Sequence, residues 1–271
     1  MHSIDRLMQI LELAHECGVH CAPALLGDPA VGDGCAVVPL QSWYHSHFLT
    51  PRGATPRAPG AGERETAMMD GAVVWPAFLN DSTRSGFDER RCRFFADLNR
   101  QTLHDVAPLS EAAAAEQRFF GREPPPPLLR GWPVVSFSHF LPRPELHRGF
   151  RWLEHFEGSH HLGDQVAQLH AGAASSVHVY GHTHFSMDDT YDGIRYVQHP
   201  LGNPHERANG WQISSTMRHP SHASLKPVWQ SSRPRVADSS PVDGPLSQRG
   251  LVDGLINCVS GPAQNRVGIF H

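Results

Sequence analysis

At 271 residues, 39% of them hydrophobic, the chain can bury a sizeable core as a mostly single-domain protein. A net charge of -4 and the lack of any basic patch exclude an electrostatic reason to bind nucleic acid or an anionic membrane. No run approaches the roughly 20 apolar residues of a bilayer span, and no protein partner is evident. Asp5, Arg6 and Glu12 interrupt the amino-terminal apolar stretch that a signal peptide would need. The cysteines are odd in number and scattered, so reduced thiols in an intracellular, cytoplasmic setting are expected.

Along the chain, Ile4, Leu7, Met8 and Leu11 recur at helical spacing between Ser3 as a cap and Gly18 as a stop, which predicts a core-packing helix over 3–17. Cys17 and Cys21 lack a second pair at zinc spacing. Cys35 to Leu40 reads as a short strand leading into Trp43-Tyr44. Those aromatics either line a substrate mouth or, more often in such settings, anchor the loop to the core. Residues 50–66, rich in Pro, Gly, Ala and Arg, predict a mobile loop. Helices are predicted at 87–104, with Phe94, Phe95 and Leu98 on one face, and at 110–120, before an extended Pro-rich stretch over 121–131.

A strand follows at 133–138, then a helix from Gly163 to Leu169 and a strand ending at Tyr180, the strand-helix-strand spacing of a layered α/β fold. Asp192-Gly193 between two β-prone runs predicts a hairpin, because both central positions of a type I′ turn favour positive φ. Residues 208–271 read as a disordered tail, with one short apolar element around Val252 to Val259.

The chemistry concentrates at two strand ends. Gly181-His182-Thr183-His184 follows an apolar alternating run, and on an extended backbone residues two apart point the same way, so His182 and His184 can reach one small volume. Gly181 suits a sharp turn out of the strand that glycine adopts most cheaply. Pro133 to Ser138 delivers His139 in the same manner. Ligand sites in α/β sheets gather at the carboxyl ends of adjacent strands, so these three residues would form a three-imidazole face able to hold metal. The plain alternative is accident: with 20 His, roughly one or two His-x-His triplets are expected by composition, and His45-Ser46-His47 is read as one. A lone strand-end His is more often a hydrogen-bonded, partly buried side chain.

Taken together, the strand ending in Ser138-His139 and the later Gly181-His182-x-His184 with its hairpin resemble the calcineurin-like metallophosphoesterases. Val135 to Arg143 and the stretch from Val177 to Arg207 look like one eukaryotic branch of them, as does the upstream segment Val37 to Tyr44. The resemblance spans residues 3–207 and implies a two-sheet sandwich flanked by helices, here a partial one. It also implies a binuclear site of divalent or trivalent Mn, Fe or Zn, with His139 and His182 on one metal and His184 on the other. Such a pair activates a bridging hydroxide against a phosphoester substrate and neutralises charge on its oxygens. Following the hairpin, His199 and Arg207 are candidates for phosphate contact.

The chain departs from that family at the early Asp-x-His, Gly-Asp-x-x-Asp and Gly-Asn-His signatures, none of which is present. Gly27-Asp28-Pro29-Ala30-Val31 reads as a turn. The expectation is therefore the carboxyl-terminal part of a longer enzyme over 1–207, poorly active by itself. Two alternatives remain: a noncatalytic remnant or binding module, and another His-x-His metalloprotein such as a cupin or an amidohydrolase.

Overall fold

The computed structural model describes residues 2–49, 73–79, 84–103, 129–148, 156–200, 202 and 204–209; the expected loop at 50–66, the helix at 110–120, most of the Pro-rich stretch and the tail beyond 209 lie outside them. The described residues form the layered α/β architecture expected, around a six-stranded mixed sheet in the order β1-β2-β3-β4-β6-β5. Its strands are β1 (Ala24–Leu26), β2 (Cys35–Pro39), β3 (Pro133–Phe137), β4 (Ser175–Val179), β5 (Met187–Tyr191) and β6 (Ile194–Gln198). The four inner strands run parallel, while β1 and β5 pair antiparallel at the two edges. All four parallel strands therefore end on one side of the sheet.

Period-two alternation gives the sheet two apolar faces, as parallel strands require. Ala36, Val38, Val134, Ile194 and Tyr196 pack with Leu162, Val166 and Leu169 of the helix His160–Leu169 in the main core. Cys35, Val135, Val177 and Val197 form a second cluster on the opposite face. Registry places Ser136 beside His178 and His178 beside Tyr196, so two polar side chains enter the main core together.

Four α-helices are described: α1 (Ser3–Glu16), α2 (Arg84–Leu103), α3 (His160–Leu169) and α4 (Pro204–Asn209). A buried polar clamp fixes α2 to α3. Asn99 Nδ2 donates to Gln165 Oε1 at 2.9 Å and to the Gln41 carbonyl at 2.7 Å, and the Gln165 amide donates to the Ala96 carbonyl at 2.6 Å. Each buried amide thus finds partners, which is what lets polar side chains sit in a core.

The first helix differs from its expectation in two ways. His2, not Ser3, is the cap, because the Ser3 hydroxyl is taken by the Val74 amide at 3.0 Å and ties the helix to the segment 73–79. None of its residues is buried; Ile4 and Leu7 lie half-buried against Trp75 and Phe95, and Met8 is 42% exposed. Gly18 stops it as expected, with φ of 74°.

Trp43 and Tyr44 anchor their loop. Trp43 stacks on Tyr44 and Phe95 and meets Trp75 and Phe140 edge-on, while Tyr44 is buried in the main core. The hairpin forms as the Asp192-Gly193 pair predicts, with φ of 50° and 77°. Arg143 reaches the turn from the loop after β3 and donates to Asp192 at 2.8 Å.

Candidate functional site

Beyond their last paired residues, β3 and β4 stay laced together. Ser138 N donates to the Val179 carbonyl at 3.0 Å and Gly181 N donates to the His139 carbonyl at 3.1 Å, so the backbone carries His139 alongside Gly181. The side chains then meet: His139 Nε2 lies 3.1 Å from His182 Nδ1, with ring centroids 5.0 Å apart. Phe140 packs against both rings, 5.0 Å from His139 and 4.7 Å from His182.

The Gly-His-Thr-His segment is not extended. His182 and His184 are left-handed, with φ of 72° and 57°, and Gly181 is not among the positive-φ glycines. The expected role of Gly181 therefore passes to its neighbours. The cause is Thr183: its buried hydroxyl donates to Gln198 Oε1 at 2.8 Å and its amide to the Gly181 carbonyl at 2.9 Å, folding the loop inward between the two imidazoles. Left-handed backbone at a non-glycine residue costs on the order of 1–2 kcal/mol, and such strain collects at functional sites.

His182 has the electrostatics of a neutral ligand. Burial, followed by the neighbouring His139 charge, lowers its pKa to about 4. Its Nε2 is buried beside the Phe156 backbone without a well-formed hydrogen bond. His184 turns to a different partner, donating from Nδ1 to both oxygens of the nearly buried Glu206 at 2.8 and 3.0 Å. A carboxylate on Nδ1 fixes the tautomer and leaves Nε2 as the free lone pair, the usual support of a metal-binding imidazole.

His199 follows the last residue of β6 at the same end of the sheet, directly after the Gln198 that receives Thr183. Arg207 follows Glu206 within α4, and its side chain lies outside the described ones. Sequence reasoning missed Glu206, although Pro at the start of α4 and an acid in its first turn are helix-start signals. The second His-x-His is structural: His45 Nε2 sits 3.4 Å from Glu89, and His45 Nδ1 accepts from the His47 amide at 3.2 Å.

The chain shares its fold with a hydrolase. It is similar to the phosphopantetheinyl hydrolase from Mycobacterium tuberculosis, with a TM-score of 0.50 and 21% identity over 82% of this chain and 70% of that one. At that identity the likeness shows the fold alone. No family model and no curated protein matches.

The residues can be tested against a metal directly. Two nitrogens bound to one cation at about 2.0–2.1 Å stand about 3 Å apart, which the 3.1 Å between His139 and His182 meets. His182, neutral and held on a strained backbone with its Nδ1 facing His139 Nε2, completes the fit to one cation. Among the described residues no group of three or more His, Cys, Asp or Glu is gathered for a metal. They supply a pair of ligands and lack the bridging carboxylate that two cations need. Among them, too, no helix is long and apolar enough to cross a membrane.

Proposed function

We propose that the chain is a metal-dependent phosphoester hydrolase of the calcineurin-like kind, with His139 and His182 on one cation and His184 serving a second. The observation that supports this most is the 3.1 Å contact of His139 and His182 at the carboxyl ends of adjacent parallel strands. When bound, a Mn, Fe or Zn ion would polarise the phosphoryl oxygen and lower the pKa of a bound water. The protein's own part is to keep His182 neutral by burial, to hold the His184 tautomer through Glu206, and to wall the pair with Phe140. His199 and Arg207 would contact the phosphate, Arg207 by bidentate donation.

Beyond this pair and His184 the described residues gather no further ligand, and the early Asp-x-His, Gly-Asp-x-x-Asp and Gly-Asn-His signatures are absent from the sequence, so binding by the chain alone is weak and turnover slow. Phosphopantetheinyl esters join aryl phosphate monoesters and diesters as substrates to assay, because the structural neighbour is named for them. The test is the purified 271-residue chain with added manganese, iron or zinc. Slow cleavage that needs metal and vanishes in His182→Ala/His184→Ala is expected. Cleavage retained in that variant contradicts the assignment, and none with any metal supports a noncatalytic remnant, the reading favoured by the missing carboxylates.

A further inference from the structure

Behind His139 lies a buried row of polar side chains that the proposed chemistry does not use. Ser136 and His178 are fully buried, His170 at the end of α3 is 5% exposed, and Ser138 joins them to the loop. Their contacts allow one assignment of protons. The Ser138 hydroxyl donates to the Phe140 carbonyl at 2.8 Å, which uses its only proton. Its 3.1 Å contact with His178 Nε2 must then be a donation from the ring.

Burial holds the His178 pKa down at about 3, so the ring is neutral and its Nδ1 is an acceptor. The Ser136 hydroxyl, 2.7 Å away, fills that acceptor and must in turn accept from His170 Nε2 at 2.8 Å. His170 is likewise neutral, its pKa lowered to about 4 by burial, and is left with a bare Nδ1. That atom is a buried ring nitrogen without a hydrogen-bond partner among the described residues. The orphan is thus the end of a one-way chain.

We propose that Ser138 and His178 are positioning residues for His139, locked by the directed chain His170, Ser136, His178, Ser138 and the Phe140 carbonyl. The last link closes the Ser138-His139-Phe140 turn from the core side, while Gly181 holds the His139 carbonyl from the other. The chain therefore sets both the imidazole and the Phe140 wall. Its role at a metal rests on the hydrolase reading; the proton order does not.

The test uses the full chain and nitrogen NMR of the histidine rings. At neutral pH, His178 and His170 should each be protonated at Nε2 and bare at Nδ1. Ser138→Ala and His178→Leu should shift the His139 ring signals and weaken binding of cobalt(II), the probe metal, about tenfold. His178→Gln, whose side-chain amide can donate where Nε2 does, should restore both. Thermal unfolding of Ser138→Ala, the mildest change, separates displacement of His139 from loss of the fold. The opposite His178 tautomer, or His139 signals unmoved in Ser138→Ala and His178→Leu, overturns the proposal. If the unmodified chain takes up no cobalt, the metal reading fails, and the His139 signals still decide the positioning role.

Discussion

Two pairs of histidines in this fold are held in opposite ways. His170 and His178 are joined through Ser136 and Ser138 so that three of their four ring nitrogens have partners. His139 and His182 meet nitrogen to nitrogen, from a loop with two left-handed residues, and His182 Nε2 is left without a well-formed bond. Burial lowers the pKa of His178 and His182 alike, so a shifted pKa does not tell a core residue from a ligand. Backbone strain does, because structure has no reason of its own to keep it.

The difference can be broken most forcefully on the core side. His178→Ala should destabilise the fold by about 3 kcal/mol, through the cavity and the stranded Ser136 and Ser138 hydroxyls, as read from urea unfolding. Acid should act through the same residue. The folded-state pKa of His178 is lowered to about 3, so as pH falls the unfolded chain takes the proton first. Its contribution is whole above pH 6.5 and is lost on the way down, about 3 kcal/mol by pH 4. His178→Gln should flatten that slope in unfolding midpoints followed against pH.

On the site side the sign reverses. His182→Gly removes a left-handed side chain and a half-buried imidazole, so stability should rise by about 1 kcal/mol while metal binding disappears. A loss of stability there would mean that His182 is a structural residue like His178. Asp192, the third left-handed non-glycine residue described, is explained by its turn. Asp192→Asn should keep the hairpin and change stability by less than about 0.5 kcal/mol despite losing the Arg143 pair.

Much of the fold was legible because its signals are local. Asp192-Gly193 specifies its turn through two φ angles, and β3, β4 and the carboxyl-terminal ends of α1 to α3 follow from periodicity and flanking residues. The site was legible only to the level of which loops meet. The fold of the Gly-His-Thr-His loop depends on Thr183 finding Gln198, and the tautomer of His184 on Glu206, partners set by tertiary packing. His178 reads in sequence as one more inward position of a strand. Its meaning comes from Ser136 one strand away and His170 at the end of a helix. The exposed α1 shows the converse: an apolar stripe predicts burial, yet here its face is only half covered by described residues.

The central claim is that His139 and His182 act together on one cation. Calorimetric titration of zinc or manganese into the full chain, His139→Ala, His182→Ala and His47→Ala tests it most directly. One weak site is expected, weakened at least about tenfold by either of the first two substitutions and unchanged in His47→Ala. Equal affinity in all four proteins would contradict it and leave the 3.1 Å contact as packing alone.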